Sequence, residues 1–142
     1  MVLSLKQTRA IVDGCLEKAR ELELKPVSVV LLDARAVLVG ALSEDGVSRL
    51  RPSIAQGKAN AAISMGMGTR ALKDRAEQQG YFIQAINGLS GGDFVPVPGG
   101  VLILDADGAL LGAVGISGDT SDNDEAAAVA GITAAGWSAG TR

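Results

Sequence analysis

The side chains that could take part in chemistry are few, and histidine is missing from all 142 residues. The absence of imidazole excludes several kinds of site: the Ser-His-Asp and Cys-His arrangements of hydrolases, histidine-ligated zinc, and a haem with a proximal histidine. Cys15 is the single cysteine, so the chain has neither a disulfide framework nor a cysteine-based metal motif. Its position on the apolar stripe of the first predicted helix favours a buried thiol.

Lys58 and two neighbouring acids are the remaining candidates for binding or proton transfer. Lys58 lies in a predicted helix between Gly57 and Ala59. A glycine inside a helix costs about 1 kcal/mol relative to alanine, so another group should approach the backbone there. A neighbouring strand or helix is the simpler partner, and a ligand is the functional one. In an enzyme without histidine, Asp124, Glu125 or a desolvated Lys58 with a lowered pKa would have to move protons.

Two glycine-containing segments could shape a ligand site. Gly112–Gly118 leads from a predicted strand into a helix, and it matches neither the dinucleotide-binding pattern nor the P-loop. It is either a backbone that binds an anion at a helix N-terminus or a set of tight turns without a ligand. Pro98-Gly99-Gly100 is a sharp turn that could be a strand entry or the wall of a pocket.

The acidic segment Asp119–Glu125 lacks the central glycine and the final glutamate of an EF-hand loop. It therefore predicts a capped helix start and no metal site. The net charge is −3, and no basic cluster longer than Ser48–Pro52 occurs, which argues against nucleic-acid binding. The apolar runs are too short to span a membrane, and frequent charges near the N-terminus do not fit a signal peptide. A cytoplasmic protein is expected.

Helices are predicted from capping signals and apolar spacing. They start at the Ser4–Gln7 capping box, at Pro52-Ser53 with Gln56 completing a second box, at Thr69 as the cap of a third helix, and near Thr120–Asp122. The segment Tyr81–Asn87 is ambiguous, and Asn87–Asp93 is expected to be a mobile loop.

Strands are predicted from β-branched runs bounded by turns. They are Val27–Leu32, Val37–Leu42, Val101–Asp105 and Ala109–Ile116, with Phe94–Val97 as a short edge strand. Two hairpins, one of them at Asp107-Gly108, should form one antiparallel sheet surrounded by helices. One domain over residues 1–142 is expected, with an unstructured end at 139–142.

Several short motifs, taken in order, resemble the GlcG/HbpS family, which includes the C-terminal domain of PduO-type corrinoid adenosyltransferases. They are Gly57-Lys58-Ala59, Ser64, Thr69–Leu72, Pro98–Val101, Gly112–Gly118 and Asp124-Glu125. The resemblance implies a profilin-like α/β (α+β) fold, with a central antiparallel sheet of about five strands and helices on both faces. It also implies a homo-oligomer, from dimer to octamer, for which Ala126–Ala135 and Trp137 offer packing surfaces.

The same resemblance implies a ligand groove between the Lys58 helix, the Pro98 turn and Ser117-Gly118. We expect an accessory protein that holds an anionic or planar metabolite there, with Lys58 meeting a carboxylate. The other expected ligand-binding residues are Thr69, Phe94, Pro98, Gly99, Gly100, Ser117 and Gly118.

Haem is one candidate ligand, but the absence of histidine disfavours it. Other residues that could ligate its iron are Cys15, Tyr81, Met65 and Met67. Two other functions are open: an isomerase, tautomerase or lyase of a catabolic pathway that uses Asp124, Glu125 and Lys58, and a scaffold subunit.

Overall fold

The computed structural model describes residues 2–142. Helices and strands follow one another along the chain in this order: α1 (Leu5–Glu21), β1 (Ser28–Asp33), β2 (Leu38–Ser43), α2 (Arg51–Met65), α3 (Thr69–Gln78), α4 (Gly80–Leu89), β3 (Gly100–Leu104), β4 (Leu110–Ser117), α5 (Ser121–Ala134) and β5 (Ser138–Gly140). No helix of this part of the chain is both long and apolar enough to cross a membrane.

The strands form one antiparallel sheet in the order β2-β1-β4-β3-β5. Both predicted hairpins are confirmed, and β1 and β4 join them at the centre of the sheet. In the second hairpin, the Asp105 carboxylate accepts the N–H groups of Asp107 and Ala109, which fixes the turn at Gly108. Helices cover both faces of the sheet, as expected.

Alternation along β1 shows why the fold has two helical layers. Val29 and Leu31 point to the face covered by α1 and α5, whereas Val30 and Leu32 point to the face covered by α2. A strand that is buried on both sides has a nearly continuous apolar sequence, and β1 is such a strand. The first turn of α1 has the predicted capping box between Ser4 and Gln7.

α1 and α5 pack so closely that side chains are nearly excluded between them. A Cβ atom at Gly131 would overlap the Cys15 sulfur, and one at Gly14 would lie 3.1 Å from the Gly131 Cα. The Cys15 thiol is therefore fully buried, as predicted, and burial raises its pKa to about 12. The small residues of α5, among them Ala127 and Ala128, are buried within the chain.

α2 packs directly on the sheet through its small residues. A Cβ atom at Gly115 of β4 would overlap the carbonyl oxygen of Ala55, and Ala59 lies at the same contact. A neighbouring strand is thus what approaches α2 at Ala55, whereas at Gly57 the approaching group is the Val95 side chain, 2.7 Å from where a Cβ atom would lie. The second predicted helix is present, but its predicted capping box of Ser53 and Gln56 is wrong, because α2 begins at Arg51 and has no side-chain cap. Proline is tolerated in the first turn, where its missing N–H would have no helical partner.

Two further predictions between α2 and β3 are wrong. The expected mobile loop at Asn87–Asp93 begins later than predicted, because residues 87–89 are the end of α4. Phe94–Val97 forms no strand, because the Val95 N–H donates to the Gly57 carbonyl of α2 and not to a neighbouring strand.

The C-terminal residues are also ordered, contrary to the prediction of an unstructured end at 139–142. Ser138–Gly140 forms β5 on the outer edge of β3, where it pairs with backbone groups that would otherwise lack partners. Thr141 then passes over Gly68, where a Cβ atom would overlap its backbone, and Arg142 pairs with Asp74 at 2.9 Å.

Candidate functional site

A buried ion pair lies at the centre of the predicted site. The Lys58 ammonium donates to the Ile116 carbonyl at 2.8 Å and lies 3.2 Å from an oxygen of Asp124. Both residues are almost inaccessible, with exposed fractions of 2% and 1%. The other Asp124 oxygen accepts the Asp119 N–H at 2.9 Å. Burial lowers the pKa of Lys58, and the Asp124 carboxylate opposes that shift.

The Pro98-Gly99-Gly100 turn rests on this lysine. Gly99 has a φ of +123°, and a Cβ atom there would lie 2.8 Å from the Lys58 nitrogen. At Gly100 a Cβ atom would overlap the Lys58 carbonyl. The glycines are required because α2 and its lysine approach the turn so closely.

Thr69 fastens the same turn to the start of α3. Its hydroxyl donates to the Gly100 carbonyl at 3.2 Å and accepts the Gly100 N–H at 2.8 Å. The expectation that Thr69 caps α3 is wrong, because Gly68 occupies the cap position and makes no side-chain hydrogen bond. The hydroxyl instead satisfies both backbone groups of a buried residue on another element.

Ser117 and Gly118 lie beyond the lysine, at the end of β4. Ser117 is fully buried and accepts a hydrogen bond from Arg51 at 3.1 Å. A Cβ atom at Gly118 would overlap the Pro26 carbonyl, so close packing against the start of β1 accounts for this glycine.

Glu125 is held by a residue that the sequence analysis did not single out. The Nε of Arg70 lies 3.1 and 3.0 Å from the two Glu125 oxygens, and a terminal nitrogen of Arg70 pairs with Asp122. The arginine thereby joins α3 to the first turn of α5. No local pattern indicates this contact, because the partners are more than 50 residues apart in the sequence.

Two depressions follow the outer side of α3. The larger, about 400 Å³, lies between α3, α4 and the segment 94–96, and the smaller, about 240 Å³, lies beside the start of α5. The larger is lined by Ala76, Gly80, Ile83, Gln84, Asn87, Phe94 and Pro96. The smaller is lined by Lys73, Val97, Pro98, Thr120, Ser121 and Asp122.

The two depressions have no lining residue in common, but they lie along the same two elements, and we refer to them together as the α3 groove. On α3, Ala76 lines the larger one and Lys73, three residues earlier on the same face, lines the smaller one. On the opposite side, Phe94 and Pro96 line the larger one and the following residues 97 and 98 line the smaller one. Phe94 is 5% exposed and packs with Ile83, which gives one end an apolar floor. Lys73 lies at the other end and is about half exposed, 3.6 Å from Glu77.

The structure divides the expected ligand-binding residues into two sets. Phe94 and Pro98 line the α3 groove. The others lie buried within the chain: Lys58, Thr69, Gly99, Gly100, Ser117 and Gly118. The sequence analysis missed the groove residues of α3 and α4, although the apolar spacing of Phe82, Ile83 and Ile86 was a usable helix signal.

The residues considered as iron ligands lie elsewhere. Cys15 is enclosed between α1 and α5, and Tyr81 is 74% exposed on α4. Met65 and Met67 are partly buried in the cluster around Leu72. None of the four is among the residues that line the α3 groove.

The comparisons with known proteins agree with the family resemblance found in the sequence. A family model described as haem degrading protein, HbpS-like, matches residues 3–133. No protein with a curated description matches the chain significantly.

Among solved structures, a complex of PduOC with haem shares 26% sequence identity, with a TM-score of 0.86 over 96% of this chain and 97% of that one. Klebsiella pneumoniae ORFY shares 21% identity, with a TM-score of 0.82 over 94% and 90% of the two chains. HbpS shares 24% identity, with a TM-score of 0.81 over 94% and 90%. These last two likenesses concern the fold alone.

Proposed function

Because the chain belongs to the family described as haem degrading protein, HbpS-like, we propose that it binds a planar, anionic metabolite of the haem class in the α3 groove. The observation that carries the proposal is the polarity of the groove. One end is an apolar cavity floored by Phe94, and the other end presents Lys73 and the start of α5. The similar PduOC structure was solved as a haem complex, which supports the ligand class.

The apolar end suits the face of a tetrapyrrole ring. Ile83, Phe94 and Pro96 line this end with hydrocarbon, and burial of the apolar area they leave exposed would contribute about 25 cal/mol per Å². Gln84 and Asn87 at the rim could hydrogen-bond to polar edges of the ligand. A cavity with an apolar lining and few polar groups is the usual form of a small-molecule site.

The polar end suits the carboxylates of the same molecule. Lys73 supplies a cation, and in the first turn of α5 the N–H groups of Ser121 and Asp122 have no partners within the helix, whereas the Asn123 N–H donates to the Thr120 cap. Asp122 also lies here and pairs with Arg70, which it shares with Glu125. Lys73 pairs with Glu77 in the free protein, so a ligand carboxylate would compete with Glu77 for this lysine.

In this proposal the buried residues position the wall of the groove. The Lys58–Asp124 ion pair lies against the 98–100 turn on its buried side, and Thr69 of α3 is hydrogen-bonded to the same turn. Pro98, which lines the smaller depression, is thereby fixed in position. A ligand carboxylate would reach Lys58 only after the ion pair had opened.

In this proposal the groove holds a tetrapyrrole by its ring face and its carboxylates, but the lining does not fit axial ligation of haem iron. Its lining residues include no imidazole, thiolate, thioether or phenolate side chain. We therefore expect affinity to come from the ring face and the carboxylates, so metal-free protoporphyrin IX should bind within about threefold of haemin.

The test is a titration of the purified chain with haemin and with protoporphyrin IX, followed by absorbance and by quenching of Trp137 fluorescence. Lys73→Glu should weaken binding of both ligands about tenfold, because reversal of one charge next to a carboxylate changes the binding energy by roughly 1–2 kcal/mol. Lys6→Glu makes the same change on the exposed side of α1 and should leave both affinities unaltered.

Saturable binding of neither ligand would overturn the proposed function. Equal binding by wild type and Lys73→Glu would overturn the assignment to the α3 groove. Binding of haemin alone, with a ligation band in its Soret spectrum, would overturn the expectation that iron contributes little.

A further inference from the structure

The larger depression of the α3 groove is lined without any charged side chain. Its lining is hydrocarbon or glycine apart from two side-chain amides, those of Gln84 and Asn87. Both residues belong to α4, three positions apart and therefore on one face of the helix, with Cβ atoms about 5–6 Å from each other. Both are exposed, so a ligand lying in this depression can reach their amide groups.

The two amides favour a particular kind of ligand edge. A side-chain amide offers both donors and an acceptor, whereas a carboxylate only accepts. The neutral group that best matches an amide is another one, with a C=O next to an N–H. A ligand carboxylate has its cation at the other end of the groove, where Lys73 lies. The groove therefore suits a molecule with carboxylates at one end, amide-like groups at the other and hydrocarbon between them.

An intact porphyrin ring has no such amide-like end. Opposite its two propionates, the edge of protoporphyrin carries only methyl and vinyl groups, and its nitrogens face the centre of the ring. This edge would remove water from Gln84 and Asn87 without replacing the lost hydrogen bonds, which is unfavourable. When the ring is opened at the methine carbon opposite the propionates, both terminal pyrroles become lactams, each with a C=O and an N–H.

The shape of the groove also favours an open chain. The two depressions lie along the same elements but have no lining residue in common. A rigid, flat ring cannot follow both of them. An open-chain tetrapyrrole rotates about single bonds at its methine bridges, so its dipyrrole halves stay planar while the whole molecule twists.

We propose that the ligand of the α3 groove is an open-chain tetrapyrrole, with its lactams at Gln84 and Asn87 and its propionates toward Lys73. This inference rests on the proposed function and narrows the haem-class ligand to its ring-opened form. Such a molecule is the product of oxidative opening of a haem ring, so a reaction of that class must supply it. The proposal places no chemical step on this chain.

The test compares three ligands on the purified full chain: biliverdin IXα, biliverdin IXγ and haemin. The lactams of the IXα isomer lie opposite its propionates, whereas in IXγ the ring is opened between the propionates and the lactams lie beside them. Two further hydrogen bonds predict binding of IXα about tenfold tighter than binding of IXγ or haemin, measured by quenching of Trp137 fluorescence. Bound IXα should also gain a visible circular dichroism band, because the groove holds one twist of a chain that is racemic in solution.

A variant that lacks both amides tests their part directly. Gln84→Leu combined with Asn87→Leu changes two exposed positions of α4 and should lower the preference for IXα over IXγ to about twofold or less. Gln78→Leu is the matched control, because Gln78 is exposed on α3 and lines neither depression. It should keep the full preference. Far-ultraviolet circular dichroism verifies that each variant is folded, and the comparison of isomers on the wild type needs no variant.

The outcomes separate this inference from the proposed function. Haemin that binds as tightly as IXα would overturn the inference and leave the proposed function in place. Equal binding of IXα and IXγ by the wild type would overturn it as well, as would a preference that survives the loss of both amides. Saturable binding of none of the three ligands would overturn the proposed function, and this inference with it.

Discussion

Neutralising Asp124 should destabilise this protein far more than neutralising the neighbouring Asp122. Asp124→Asn leaves the Lys58 ammonium buried without its counter-ion and with one carbonyl partner, that of Ile116. The new amide has one oxygen for two donors, so its N–H₂ group would face either the Lys58 ammonium or the Asp119 N–H, donor against donor. Breaking one side of a buried ion pair typically costs about 3–5 kcal/mol, and we expect a loss of that size.

The pH dependence of Asp124→Asn gives a second, independent readout. Without the carboxylate that opposed the effect of burial, the pKa of Lys58 should fall further below its usual value of 10.5. The unfolded chain then binds more protons than the folded chain between that lowered pKa and 10.5. The free energy of unfolding of the variant should therefore rise with pH across this window, more steeply than that of the wild type.

Urea unfolding of wild type, Asp124→Asn and Asp122→Asn at pH 7 and pH 9.5 tests both statements. Asp122 lies in the same helical turn but is 79% exposed, so its loss should cost little. If Asp124→Asn and Asp122→Asn unfold at the same urea concentration, the central role assigned to the buried pair is refuted. A flat pH profile for Asp124→Asn would refute the account of Lys58.

Three other substitutions or modifications have defined outcomes. Cys15 should not react with a thiol reagent in the native protein at pH 8, because its pKa is about 12 and it is buried, and full reaction in urea is the control. Gly115→Ala should lower the free energy of unfolding by about 3 kcal/mol or more, since its Cβ overlaps α2, whereas Gly88→Ala meets no atom and should be neutral or stabilising by up to about 1 kcal/mol. Thr69→Val should cost about 1–3 kcal/mol, because both backbone groups of Gly100 lose their partner, and Thr69→Ser should keep most of the stability. Thermal unfolding measures both pairs, and equal melting temperatures within either pair would contradict the corresponding contact.

Local signals in the sequence were sufficient for the hairpins and the first helix. The Asp107-Gly108 turn and the Ser4–Gln7 capping box depend on residues within a few positions of each other, and both are present in the structure. β5 could not be predicted in this way, because Ser138–Gly140 has no apolar alternation. Its strand conformation comes from the free edge of β3, more than 30 residues earlier in the sequence.

The candidate site was predictable in composition but not in accessibility. The small residues around Lys58 correctly indicated that a neighbour approaches α2, but they could not distinguish a strand from a ligand. The overlap of a Gly115 Cβ with Ala55 identifies β4 as the neighbour at Ala55, and at Gly57 the neighbour is the side chain of Val95. Likewise, the pairing of Arg70 with Glu125 depends on how α3 meets α5, which no spacing within either helix reveals.

The attachment of α3 and the weak attachment of α4 have a consequence for how the molecule moves. α3 is fastened to the sheet through Thr69, whereas α4 buries only Ile83 and is followed by Gly91 and Gly92, both with positive φ. Segments with few buried groups open with a lower free energy than the rest of a fold. Amide hydrogen exchange should accordingly be fastest in α4 among the five helices. A molecule entering or leaving the α3 groove would then pass on the α4 side, with the sheet and α3 remaining in place.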